Sequence, residues 1–280
     1  MRTRCRGLAR AKISGMDLRL DGKRAIVTGG SRGIGLATAR ALAAEGTDVA
    51  LVARHEAALK TARDAVAAES GRRVLAVRAD TGDDQSVKDM VRSVVDGLGG
   101  VDILVNAAAR PNTGAVIGID AFDDSEFSEQ VNVKVLGYLR CIREVVPHMR
   151  ASGWGRIVNI SGLAARSAGS ITGTVRNVAV AALTKNLADE LGRHGINVTV
   201  VHPGLTVTES TPRILAGRAE RAGVPVADLQ RQLAASVGIG RLVTAEEVAT
   251  VVAFLASPLS VAINGDAIVA GGGAPGPIYY

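Results

Sequence analysis

Four glycines, Gly29, Gly30, Gly33 and Gly35, fall within seven residues, directly after the apolar run Ala25-Ile26-Val27 and before a helix-forming stretch. Such a turn removes Cβ atoms where an anion must approach the backbone, and the free N–H groups and dipole of the following helix hold its charge. The pattern Thr28-Gly29-x-x-x-Gly33-x-Gly35, filled by Ser31, Arg32 and Ile34, reads as a dinucleotide-type phosphate turn. Arg32 within it and Arg54 after the second apolar run are two guanidinium groups that can clamp a further phosphate through charge-assisted hydrogen bonds. Acids for carbonyl chemistry are scarcer. The only tyrosines are Tyr138, Tyr279 and Tyr280, and no lysine lies between Lys134 and Lys185. Ser161, Ser170, Thr172 and Thr174 remain as hydroxyls able to hydrogen-bond a carbonyl, with Arg176 as a nearby positive charge. Tyr138 and His202 are expected to be structural.

These groups need a frame, and the chain supplies one by alternation. After a helix over 34–44 stopped by Gly46, strand-length apolar runs at 47–53, 73–78, 101–106, 156–161, 197–202 and 267–269 alternate with helical stretches. The helical stretches are 55–68, 83–98, 127–149, 177–193 and 245–256. Apolar strands buried on both faces and separated by helices predict an α/β fold, a doubly wound, Rossmann-like parallel sheet in three layers. Ligands of such sheets sit beyond the carboxyl ends of the strands, where the turn 28–35, Arg54, Asp80, Asn106 and Pro203-Gly204 all fall.

Composition narrows the function. A chain of 280 residues that is 47% hydrophobic can bury a large core, and no Pro- or Ser-rich linker divides it. One domain over 16–280 is expected. The net charge of +6 lies almost wholly in residues 1–15, which hold Arg2, Arg4, Arg6, Arg10 and Lys12 and no acid. That segment reads as a disordered basic extension, or as sequence upstream of a true start at Met16. With aromatics at 2%, base-stacking platforms are not expected, so no nucleic-acid partner is predicted. No apolar run approaches a membrane span or a signal peptide, so no membrane partner and a cytoplasmic location are expected. Cys5 and Cys141 show neither metal-ligand spacing nor a disulfide framework, and no metal site is predicted.

Over roughly residues 18–274 the sequence resembles the short-chain dehydrogenase/reductases. The resemblance rests on the turn Thr28-Gly29-x-x-x-Gly33-Ile34-Gly35, on Asn106-Ala107-Ala108-Ala109, on Gly155 through Ser161, on Pro203-Gly204 with Thr208, and on the C-terminal run from Arg241 to Gly272. It implies an NAD(P)-dependent oxidoreductase acting on a ketone or alcohol, a small-molecule substrate, and a homotetramer or homodimer. It places Asp80, with Thr81, beside the adenine, Asn106 to Ala108 along the cofactor, and Pro203, Gly204, Thr206 and Thr208 at the nicotinamide carboxamide. Ala53 and Arg54 stand where an acid would select NAD(H), so NADP(H) is the implied cofactor. Asn132 matches the helix Asn that supports a proton-relay water. The family's Ser, Tyr and Lys fall on Gly162, Gly173 and Asn177. Asn132 and Ser161 are therefore the expected catalytic residues of an atypical site. The alternative is a catalytically silent NADP-binding protein serving as sensor or assembly partner. Residues 209–240 read as a helical lid over the substrate.

Overall fold

The computed structural model describes residues 17–110 and 118–273. The basic extension, Cys5, Tyr279 and Tyr280 lie outside the described residues. β1 (Arg24–Thr28) is buried from Ala25 onward and feeds through the glycine turn into α1 (Gly33–Ala44). β2 (Asp48–Ala53), α2 (Glu56–Ser70), β3 (Val74–Arg78), α3 (Asp84–Leu98) and β4 (Ile103–Asn106) continue the alternation. There follow α4 (Asp124–Val131), α5 (Gly137–Ser152), β5 (Gly155–Ile160), α6 (Ile171–Leu191) and β6 (Ile196–Pro203). The chain closes with β7 (Thr206–Val207), α7 (Thr211–Ala222), α8 (Val226–Ala235), β8 (Val243–Thr244), α9 (Ala245–Ala256) and β9 (Ala267–Ala270).

Seven strands pair in the order β3-β2-β1-β4-β5-β6-β9, every pair parallel. This is the doubly wound α/β sheet that the alternation predicts. Helices cover both faces, over one apolar layer built around Leu42, Leu51 and Val248 and a second around Met90, Val94, Ile142 and Met149. The order reverses between β1 and β4, whose last residues, Thr28 and Asn106, are register partners. The switch point of the sheet is thus the mouth of the glycine turn.

Three elements differ from the sequence reading. The helix expected over 177–193 begins at Ile171, because Ser170 caps it by accepting from the Gly173 N–H at 3.1 Å, which offsets the helix-weakening glycine in its first turn. The helix expected over 127–149 is interrupted by a π-turn, Asn132–Leu136, between α4 and α5. π-turns inside helices frequently mark functional sites. The expected lid is two helices, α7 and α8, anchored by the two-stranded pair β7–β8, which was too short to register as a periodic pattern.

Candidate active site

Thr28 closes β1 with its side chain inward, and its Oγ1 accepts the N–H groups of Ala107 and Ala108 at 3.1 and 3.2 Å. That pair of bonds ties the loop after β4 to the glycine turn. Gly29 has φ +68°, and a Cβ there would lie 2.8 Å from Ala107 O. A Cβ on Gly35 would strike Gly29 O. The turn therefore keeps its shape only with glycine at both places. At the start of α1 the Gly33 N–H donates to Glu209 Oε2 at 3.2 Å, so a carboxylate already occupies the anion position that the helix start creates.

A cleft of about 710 Å³ opens here. Gly29 and Ser31 through Gly35 form its floor, with Arg54, Asp80 and Thr81 at the ends of β2 and β3. Ala107 and Ala108 follow β4 along it, and Pro203 and Thr208 close the far side. Thr28, Asn106, Gly204 and Thr206 do not line it but brace what does. Asn106 Nδ2 donates to Asn159 Oδ1, and Asn159 in turn donates to Thr184 Oγ1, each at 3.0 Å, a buried chain joining β4, β5 and α6. Thr206 Oγ1 donates to Gly204 O at 3.1 Å, and Thr208 N–H donates to Thr211 Oγ1 at 2.8 Å. Arg54 Nη1 stands 3.9 Å from Asp80 Oδ2, both side chains about half exposed, while Arg32 faces solvent in the turn.

The Ser161 end of the cleft holds a residue that the sequence reading passed over. Ser161 lines the cleft, and its Oγ donates to Asn177 O at 3.0 Å. Asn132 does not line it; its Nδ2 donates to Gly82 O at 3.2 Å. Between them Lys134, buried in the π-turn, brings its Nζ to Ser161 O at 3.0 Å and to Asn177 Oδ1 at 2.8 Å. Burial first, and then the Arg176 guanidinium, push this ammonium down to about 7. A lysine set among apolar residues of a helical stretch, Val133-Lys134-Val135-Leu136, is the signal that could have found it in the sequence. Ser170 and Thr174 are spent on the loop before α6, Ser170 as its cap and Thr174 on Ser167 O.

Tyr138 is fully buried, and its hydroxyl donates to Ile160 O at 2.9 Å. Burial holds that phenol far above its ordinary range, which removes it as a proton donor. Arg176 donates to Gln130 Oε1 and Arg110 O, inside the protein. His202 is buried and held down to about 4 by desolvation, then by Arg166 and Lys134, and therefore stays neutral. No group of residues among those described could hold a metal ion, and no helix among them is long and apolar enough to cross a membrane.

A parallel sheet that reverses at β1 and β4, with a glycine turn and a helix start at the reversal, is the architecture of a dinucleotide-binding fold. Residues 23–219 match the short chain dehydrogenase family, and the chain belongs to it. It is 37% identical over 254 residues to the short-chain reductase protein NovJ of Streptomyces niveus, covering 90% of this chain and 93% of that one. It is 34% identical over 244 residues to a sorbitol dehydrogenase of Cereibacter sphaeroides, with coverage of 86% and 93%. The L-sorbose reductase of Gluconobacter frateurii, solved with NADPH and L-sorbose, superposes with a TM-score of 0.87 at 31% identity, over 94% of this chain and 100% of that one.

Proposed function

We propose that residues 16–280 form a single-domain, cytoplasmic, homo-oligomeric oxidoreductase that prefers NADP(H), acts on a small ketone or alcohol, and uses an atypical active site. The observation that carries this reading is the Gly33 N–H holding a carboxylate at the head of a cleft that runs on to Ser161. A diphosphate fits where that carboxylate sits, against Gly29 to Gly35. Arg32 and Arg54 are the cations available to a 2′-phosphate, and Asp80 and Thr81 border the adenine end. The brace of Asn106, Gly204 and Thr206 shapes the nicotinamide end, with Ala107, Ala108, Pro203 and Thr208 on its wall. The nicotinamide would supply or take up the hydride. The protein's own part is to orient the carbonyl near Ser161, to keep water out with α7, which lines the cleft through Ile214 and Gly217, and to move the accompanying proton. Asn132 braces the loop at Gly82, next to Asp80 and Thr81.

Nucleotide oxidation by the purified chain, with L-sorbose and 9,10-phenanthrenequinone as acceptors, tests the reading. The expected result is acceptor-dependent NADPH consumption that exceeds NADH consumption. The silent alternative draws support from Gly162, Gly173 and Asn177, and a Cβ on Gly162 would crowd Asn177 Nδ2 at 3.2 Å. Tight NADPH binding without consumption would decide for it.

A further inference from the structure

Lys134 is 4% exposed, yet it bears a charge that nothing neutralises. Both partners of its Nζ, Ser161 O and Asn177 Oδ1, are neutral acceptors, and among the described residues no carboxylate bears on it. Burying an ammonium without a counter-charge is costly, so stability does not account for it. A primary ammonium has three N–H donors, and two are used here. The third remains for the cleft, whose wall Lys134 helps to form.

We propose that Lys134 is the proton donor of this site, giving its remaining Nζ–H to the oxygen of a bound ketone. This rests on the oxidoreductase reading above. In reduction, the carbonyl carbon gains the hydride of the reduced nicotinamide and forms a C–H bond. The C=O π pair moves to oxygen, which forms O–H as the Nζ–H bond breaks. The ketone is reduced, the dinucleotide is oxidised, and Lys134 is left as a neutral amine that solvent reprotonates. Alcohol oxidation runs the same steps in reverse.

The surroundings suit that task. A lysine at its ordinary value is too weak an acid near neutrality, and a general acid works best near the working pH. Arg176 of α6 faces Lys134 as a like charge and lowers it. His202 of β6 stays neutral, and Tyr138, on the same helical segment, is bonded to Ile160 O. Asn177, on α6, turns its amide oxygen towards Nζ, so the cation enters from the π-turn and not from α6.

The test uses the full chain with NADPH and the same two acceptors. For the unmodified protein, kcat for reduction should hold at low pH and fall about tenfold per unit once pH exceeds about 7. Lys134→Met should lower kcat by about 10²–10⁴, while NADPH affinity by fluorescence titration stays within about threefold. Lys134→Arg keeps the charge but releases no proton, so it should be equally slow and lose the pH break; recovery of activity by arginine would mean a structural role and overturn the proposal. Urea unfolding of the apoprotein gives a reading independent of turnover. The unmodified chain should gain stability relative to Lys134→Met as pH rises above 7, and no such gain overturns the proposal. Retention of kcat within threefold in Lys134→Met overturns it while leaving the oxidoreductase reading intact. NADPH binding with no reduction of either acceptor by the unmodified chain overturns both.

Discussion

Glu209 Oε2 accepts the Gly33 N–H at 3.2 Å across 176 residues of chain, tying the segment before α7 to the first turn of α1. The bond makes the lid compete with any phosphate for the same helix start. A charge at a helix terminus is worth about 0.3–1 kcal/mol at an exposed site. Glu209→Gln should therefore tighten NADPH binding by about two- to fivefold in a calorimetric titration. Unchanged or weaker affinity would remove the competition.

Arg54, beyond the end of β2, is held loosely, 3.9 Å from Asp80 and about half exposed. It is free to swing onto a phosphate, and a bond to a charged group is worth about 1.5–3 kcal/mol. Arg54→Asp should weaken NADPH by about tenfold or more and leave NADH tighter than NADPH. Nucleotide fluorescence titration of both forms checks this, and an unaltered ratio would take Arg54 out of cofactor choice.

The buried Lys134 predicts a pH dependence of stability with a definite sign. Its ammonium titrates at about 7 in the folded protein against 10.5 for the ordinary side chain. Between those values the unfolded chain binds the proton and the folded chain does not, so stability rises with pH across that window. The penalty is full below pH 7 and is relieved as pH approaches 10.5, by at most about 5 kcal/mol at about 1.4 kcal/mol per unit. Lys134→Met should flatten the slope in urea-unfolding curves taken at pH 7 to 8.5, below the range where the buried Cys141 thiol, pushed up to about 12, adds a slope of opposite sign.

Leu136, Leu139, Ile171, Val175 and Val178 expose between 37% and 46% of their surface along α5, α6 and the π-turn. On the same elements Val133, Ile142, Val145 and Val180 pack inside. The exposed remainder would be covered in a homo-oligomer. Sedimentation at micromolar concentration should show a dimer or tetramer, and Val178→Glu with Leu139→Glu should shift it to smaller species. A monomer of the unmodified chain ends this reading.

What the sequence determined by itself was whatever rests on short-range pattern. The glycines between Thr28 and Gly35 announce a strand–turn–helix because φ and Cβ constraints act within a few residues, and the alternation of apolar runs with helices forces a covered parallel sheet. The ends of α6 and the break at Asn132 were less legible: a cap by Ser170 and a π-turn shift a boundary without altering hydrophobic period. Only the tertiary structure decided that Lys134 meets Ser161 and Asn177, 27 and 43 residues away, or that Glu209 reaches Gly33. Residue types show that a charge is present, but its cost and its chemistry depend on which dipoles and charges the packed sheet brings within hydrogen-bond reach and on how much water it excludes.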